Sequence, residues 1–363
     1  MPAGDTNQKL MTSSPLDTYT MQIQLTQYSH GAGCGCKIAP AILDQMLIAP
    51  TRIAPPPELL VGYETKDDAA VYDLKNGSVL ISTTDFFMPM VDDAFTFGAI
   101  AAANAISDVY AMGGSPLLAL AILGWPVEKL PPDLARTVLE GARSICAEAN
   151  IPLAGGHSID SLEPLFGLAV NGIAARAHLK KNSTARPGDV LYLSKPLGVG
   201  LVTTAQKRGL ARPGDVEEAV AWMTRLNTLG VQLGACPEVT ALTDVTGFGL
   251  LGHLLEVCTG SGVSARLHYP SIPMLNCTRH YAAAFIYPDN TMRNWNSYQH
   301  QVSGIGPESL LTLCDPQTSG GLLICVDELA QLRFESKLAD WGFALKPIGQ
   351  ITPQQPTVIE IIA

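Results

Sequence analysis

The sequence has little charge: 15% of its 363 residues are Asp, Glu, Lys or Arg, against roughly 25% in an average soluble protein. With 47% apolar residues, a chain of this kind buries much of itself, which excludes a disordered polypeptide and a charge-rich coiled coil. Positive charge is scarcer still. The 23 basic and 33 acidic side chains leave a net charge of −10, the wrong sign for a protein whose main partner is a phosphate backbone. A long apolar run is also missing. The least charged stretch, 94–127, is broken by Gly98, Asn104, Asp108, Gly113, Gly114 and Pro116, so no run of about 18 apolar residues exists to cross a bilayer. Residues 1–22 are polar, contain Asp5, Lys9 and Asp17, and lack the apolar segment of a signal peptide. Closely spaced cysteines are few: of eight, only Cys34 and Cys36 are neighbours, and the rest are scattered among apolar residues, where a free thiol behaves as a small hydrophobe. These absences predict a cytoplasmic protein without a disulfide framework, a membrane span or a nucleic-acid partner.

What is present is Gly and Pro, 33 and 26 of them, in short clusters between apolar runs, as in a mixed α/β or α+β protein with many tight loops. The length predicts two domains. We expect a flexible N-terminal segment at 1–60, an N-terminal domain at 61–180 and a C-terminal α+β domain at 181–363, the boundary falling in the polar turn cluster 181–189. Three glycines in five positions, Gly31-Ala32-Gly33-Cys34-Gly35, followed by Cys36-Lys37, prevent a stable helix and predict a mobile arm. A short helix is expected near Pro40–Leu47 and a hairpin from strands Ala69–Leu74 and Val79–Thr84 about the turn Lys75-Asn76-Gly77. Then come helices Ala94–Met112, ended by Gly113-Gly114, and Asp133–Asn150. Strands are expected at Leu117–Leu123 and Leu165–Ala174. The second half predicts strands at Val190–Ser194, Leu322–Val326 and Pro356–Ile362, with helices near Val216–Leu233 and Gly249–Cys258.

Four aspartates carry the chemical signal. Asp68 precedes one expected strand, Asp85 follows another, Asp244 follows Thr240–Thr243, and Asp108 lies in the Ala-rich helix with Asn104 one turn earlier on the same face. For most aspartates a cap or turn role is the commoner one. Asp108 differs, because it is the only charged side chain between Asp93 and Glu128, and a carboxylate there needs a cation or several donors to offset desolvation. Oxygen ligands without His–Cys spacing suit Mg²⁺, which is held by one or two carboxylates together with nucleotide phosphates. Beside Lys37 the thiols Cys34 and Cys36 gain thiolate character; a redox-inert loop or an adventitious metal site, with His30 adding one ligand, stays open. Gly155-Gly156-His157-Ser158 reads as a loop whose N–H groups could face phosphate, or as a structural turn. Asp315–Gly321 reads as a turn before a strand, structural or phosphate-facing.

Taken together, the segments Leu25–Lys37, Lys66–Asp73, Ser82–Phe87, Asn104–Asp108, Ala154–Asp160, Leu242–His253 and Cys314–Gly321 resemble the selenophosphate synthetases (selenide, water dikinases), within the superfamily of aminoimidazole ribonucleotide synthetase-like ATP-binding enzymes. The Cys-Gly-Cys-Lys arm is what sets these apart from the purine-pathway synthetases and thiamine-phosphate kinases of the superfamily. The resemblance implies a mixed two-domain fold whose N-terminal domains pair into a dimeric β-barrel. It implies that ATP, selenide and water yield selenophosphate, AMP and orthophosphate, the selenium donor for selenocysteine and selenouridine synthesis. By the same resemblance Cys34 and Lys37 are catalytic. Asp68, Asp108 and Asp244 are magnesium ligands, while Lys37, Thr65, Lys66, Asp67, Asp85, Asp108, Gly156, His157 and Ser158 contact ATP. Lys66 stands where an Arg also occurs, so a bidentate contact would be lost. A potassium-type cation, a homodimer and a selenium-delivery protein are further expectations of that likeness. The competing reading is a non-enzymatic selenium or metal carrier using Cys34, Cys36 and His30, in which the aspartates would be idle.

Overall fold

The computed structural model describes residues 23–33, 35, 37–38, 40–46, 54–62 and 66–363. Cys34, Cys36, Thr65 and the first 22 residues lie outside the described residues, as does Leu47, the last residue of the first expected helix. The N-terminal half contains α1 (Pro40–Met46), β1 (Leu59–Val61), β2 (Ala70–Asp73), β3 (Ser78–Phe87), α2 (Ala94–Ala111), β4 (Ser115–Trp125), α3 (Pro132–Glu148), β5 (Leu153–Asp160) and β6 (Leu165–Ala175). Its six strands form one sheet in the order β1-β2-β3-β6-β4-β5, antiparallel except for the β4–β5 pair. The expected hairpin is β2–β3, with Ala70 opposite Ser82 and Asp73 opposite Val79.

The other half contains β7 (Val190–Leu193), α4 (Val199–Lys207), α5 (Asp215–Thr224), α6 (Leu229–Gly234), β8 (Val239–Asp244), α7 (Gly249–Ser261), β9 (Val263–His268) and α8 (Thr278–Ala283). It continues with α9 (Asp289–Tyr298), β10 (Val302–Ser303), α10 (Pro307–Leu313), β11 (Leu322–Val326), α11 (Gln331–Asp340), β12 (Pro347–Pro353) and β13 (Ile359–Ile362). Its sheet runs β10-β13-β9-β12-β7-β11-β8. The central strands are buried on both faces, so Leu191 and Leu193 enter one apolar cluster while Val190 and Tyr192 enter another.

Helix α2 joins the two halves. It starts where the Asp93 side chain accepts the Thr96 N–H and stops before Gly113, whose φ of 74° a side chain would strain. All of its residues from Phe97 to Ala111 are buried, the mark of a helix packed on every side rather than an amphipathic one. Alanines and Gly98 make that possible. A Cβ on Gly98 would sit 1.8 Å from the Val138 carbonyl of α3, and one on Gly141 would sit 1.9 Å from that of Phe95, so the two helices touch backbone to backbone. One core cluster then runs from β3 and β6 through α2 into α4 and α5.

Several expectations need correction. Gly155–Ser158 is not a loop but part of the exposed edge strand β5; its extended glycines let it lie against β4, where a Cβ on Gly156 would meet the Ala121 carbonyl at 2.1 Å. The expected helix 216–233 is two helices, α5 and α6, interrupted at 225–228, where Arg225 is extended and Asn227 donates to Ser107 and the Gly320 carbonyl. Asp85 lies inside β3 rather than after it.

Candidate active site at the seam of the two halves

A cavity of about 290 Å³ opens between β3, α2, the end of β8 and the start of α7. It gathers Lys37, Lys66, Asp67, Asp68, Asp85, Asp108 and Asp244, seven residues that the sequence spreads over more than two hundred positions. Local geometry explains how each arrives. Asn104 and Asp108, one helical turn apart, face β3: Asn104 Nδ2 donates to Asp85 Oδ2 at 2.5 Å, and Thr83 Oγ1 donates to Asp108 Oδ2 at 2.5 Å. Ser107, rotated by about 100° from Asp108, points the other way and donates to Asp244 Oδ2 at 2.5 Å. Thr243, next to Asp244 on β8, donates to Asp68 Oδ1 at 2.7 Å. The Asn182 N–H donates to Asp67 Oδ1 at 2.7 Å and its side chain to the Lys66 carbonyl at 2.8 Å. The arm's Lys37 Nζ reaches 3.8 Å from Asp85 Oδ2 and lies 6.0 Å from the Phe248 ring centroid.

The electrostatics are those of an acidic pocket. Burial holds the Asp108 carboxyl well above the usual range, and the charges of Asp244 and Asp85 push it further. Asp68 is raised well above its ordinary value by burial, then by Asp244 and Asp108. Burial raises Asp244 too, against the hydrogen bond from Ser107. Carboxylates so placed favour protonation or a bound cation. Asp68 Oδ2 is buried and has no hydrogen-bond partner, an orphaned acceptor of the kind a hard cation satisfies. Among the described residues no group of three or more His, Cys, Asp or Glu side chains is arranged to hold a metal ion by itself, so a cation here would need oxygens from water or phosphate as well. That donor set fits Mg²⁺, which keeps waters and shares phosphate oxygens instead of relying on an all-protein cage.

Gly156, His157 and Ser158 do not line this cavity; they sit on β5, exposed. Sequence reasoning missed Thr83, Thr84, Thr246, Phe248, His253 and Glu256, which do line it. Phe248 stacks on His253 with centroids 5.5 Å apart, and His253 contacts Thr246 Oγ1 at 3.2 Å and Glu256 at 3.1 Å. Thr83 and Thr84 lie in the segment Ser82–Phe87, and Thr246, Phe248 and His253 in Leu242–His253, both part of the family likeness, but their residue types alone did not single them out. The turn Asp315–Gly321 is structural: Asp315 and Gln317 accept the N–H groups of Gly200, Gly198 and Val199 at the start of α4, and the Ser319 N–H donates to Asn104 Oδ1 at 2.7 Å.

Comparison with known proteins agrees with this architecture. The family model for the AIR synthase related protein N-terminal domain matches residues 66–174, and that for the C-terminal domain matches 186–362. A selenide, water dikinase of Pseudomonas putida is 54% identical over 340 residues, covering 94% of this chain and 99% of the relative. One from Yersinia pseudotuberculosis is 54% identical over 342 residues, covering 94% and 98%. Among solved structures, a thiamine-monophosphate kinase from Stenotrophomonas maltophilia superposes with a TM-score of 0.62 at 20% identity, covering 84% of this chain and 91% of that one, which shows the shared fold. With domains of that fold on both sides of the seam and near-full-length identity above one half, the chain belongs to the selenide, water dikinase family of the AIR synthase related proteins.

Proposed function

We propose that the protein makes selenophosphate, converting ATP, selenide and water to selenophosphate, AMP and orthophosphate. The observation that carries this reading is the convergence of Lys37 from the Gly-rich arm with Asp68, Asp85, Asp108 and Asp244 in one buried cavity. Phosphoryl transfer needs alignment and charge neutralisation more than covalent help from the protein, and Asp68, Asp108 and Asp244 are the residues that would hold Mg²⁺. When bound, that ion offsets the charge on the phosphates and on the three carboxylates. The arm closes over the nucleotide, Lys37 leaves Asp85 for the transferring phosphoryl group, and Cys34 holds or delivers selenide while water is excluded. Lys66, Asp67 and Asp85 bind the nucleotide at the rim. The structure does not include Thr65 and Cys34 among its described residues, and their roles rest on the family likeness.

A homodimer belongs to the same proposal. The outer face of the six-stranded sheet exposes Tyr72, Phe86, Leu117, Leu120 and Ile159, an apolar surface of the kind that marks an interface, and β5 presents a bare edge. Gly156, His157 and Ser158, which are exposed and do not line their own chain's cavity, would contact the nucleotide of a partner chain. The division at 61–180 and 181–363, a potassium requirement, a selenium-delivery partner and a cytoplasmic place complete the reading. No described helix is long and apolar enough to cross a membrane.

The test is incubation of pure, reduced protein with ATP, Mg²⁺ and selenide, in potassium or sodium salt, followed by phosphorus NMR. A selenium-coupled phosphorus signal with stoichiometric AMP is expected. Selenium binding without ATP consumption would establish the carrier instead, and a Cys34→Ser variant with full selenide-dependent activity would remove the role given to the thiol.

A further inference from the structure

The arm borders two cavities of opposite charge. Among the described residues the nucleotide cavity is lined by six carboxylates, with Lys37 and Lys66 as its lysines and no arginine. The second, of about 270 Å³, is bordered by Gly31, Ala32 and Gly35 of the arm and lined by Lys207, Arg208 and Arg293, with Asp289 as its single carboxylate among the described residues. In a chain with ten more acidic than basic side chains, that reversal of sign in a pocket beside the arm calls for an anionic occupant.

Three features of the second cavity point the same way. Lys207 Nζ donates to the carbonyls of Ser29 at 3.0 Å and Gly31 at 3.3 Å, so a cation is fastened to the base of the arm. Residues Pro288, Asp289 and Asn290 line the cavity and form the N-terminal end of α9, a ten-residue helix whose first turn has no side-chain cap; its N–H groups and dipole favour an anion. The Arg293 carbonyl, one turn further along α9, accepts from Ser297 Oγ, while its guanidinium, on an exposed residue lining the cavity, makes no side-chain hydrogen bond or ion pair among the described residues. Gly35 forms part of the wall, with Pro316 and Asn290 in ordinary contact distance of where its Cβ would be.

We propose that this basic cavity is the capture site for the anionic selenium acceptor, hydrogenselenide, before the arm carries it to the nucleotide. The proposal rests on the selenophosphate reading above. A small anion approaching the six-carboxylate cavity meets repulsion, whereas the basic cavity on the other flank of the arm attracts it and raises its local concentration. Orthophosphate shares the anionic chemistry, and the experiment separates the two.

Anaerobic steady-state kinetics on the full-length protein, Arg293→Glu and Arg293→Lys provide that test. Arg293 is exposed, so both variants should keep the melting temperature of the parent. For Arg293→Glu the KM for selenide is expected to rise by about tenfold, with the KM for ATP and kcat at saturating selenide within about twofold of the parent. Arg293→Lys should restore most of the loss, and added salt should raise the selenide KM of the parent more steeply than that of Arg293→Glu. An unchanged selenide KM, or a parallel rise in the KM for ATP, overturns the capture site. Weaker product inhibition by orthophosphate with an unchanged selenide KM also overturns it and assigns the cavity to that product. Absence of selenophosphate in the parent's own reaction is a different failure, that of the functional reading itself.

Discussion

The two sheets are built on opposite principles. In the seven-stranded sheet β7 and β11 are buried at every position, with one apolar cluster on each face. In the six-stranded sheet only one face is covered by described residues, those of α2 and α3; β3 alternates buried Val79, Ile81 and Thr83 with exposed Ser82, Thr84 and Phe86. The closed sheet acts as a frame that holds Asp244 and the Asp315–Gly321 turn in place. The open one presents β3, with Thr83, Thr84 and Asp85, to the cavity and leaves Tyr72, Phe86, Leu120 and Ile159 exposed. The carboxylates gather where the open sheet meets the frame, because there Asp68, Asp85 and Asp108 from one half and Asp244 from the other face a common space.

The largest effect should come from attacking the frame. Phe334 is fully buried with its ring centroid 5.3 Å from that of Tyr192, and Phe334→Ala should cost about 3–5 kcal/mol in denaturant unfolding. Phe86, half exposed on the open face of the single chain, should cost clearly less than Phe334 in the same assay as Phe86→Ala, and under the dimer proposal Phe86→Glu should lower the sedimenting mass towards that of one chain. Equal stability losses for Phe334→Ala and Phe86→Ala would erase the contrast between the sheets.

At the seam, Asp108→Asn should reduce ATP turnover by about 10²–10³-fold without lowering the melting temperature of the ligand-free protein. The sign follows from linkage. Asp108 is raised in the folded state, so the folded chain holds a proton that the unfolded chain releases, and stability falls as pH climbs above the ordinary carboxylate range. Removing the ionisable group should flatten that fall, and a steeper one would contradict the crowding of carboxylates described here. Asn104→Ala unties the Ser319 N–H and Asp85 together and should cost about 1–3 kcal/mol, since it strands a buried donor; calorimetry showing no loss would mean that the seam is held elsewhere.

The last comparison is a change of slope with pH. Lys195, buried behind the seam, donates to the carbonyls of Arg225 at 2.6 Å and Ser319 at 2.8 Å, and burial brings its pKa down to about 7. Between that value and the ordinary lysine range the unfolded chain binds a proton that the folded one does not, so this group makes stability increase with pH. Lys195→Met should lack that increase when urea midpoints at about pH 7 and about pH 9.5 are compared.

Much of the first half was legible in the sequence. The Ala-rich helix with its Gly-Gly stop, the hairpin about Lys75–Gly77 and the strand 165–174 all appear at or near their expected positions, because periodicity and turn residues are local signals. The second half was harder to read. The strand at β8 and the helices α4, α8, α9, α10 and α11 had no expectation attached, and the single helix expected over 216–233 is broken where Asn227 bonds across to α2 and the Gly320 carbonyl. A tertiary bond of this kind leaves no trace in local pattern. Gly155–Ser158 failed for a related reason: paired glycines read as a loop, yet at the edge of a sheet they allow close approach to the neighbouring strand.

By itself, the sequence determined that the chain buries itself despite few charges, that Asp108 sits alone in a long uncharged helix, and that a Cys-Gly-Cys-Lys arm precedes a set of dispersed aspartates. Residue type and local spacing suffice for those statements. Only the tertiary structure decided that Asp68, Asp85, Asp108 and Asp244 share one cavity, that Ser107 bonds Asp244 of one half while Asp108 bonds Thr83 of the other, and that Gly156–Ser158 lie outside that cavity. Those outcomes depend on a helix packed on all sides between two sheets and on which sheet face is left uncovered, properties of long-range packing that no local window of sequence contains.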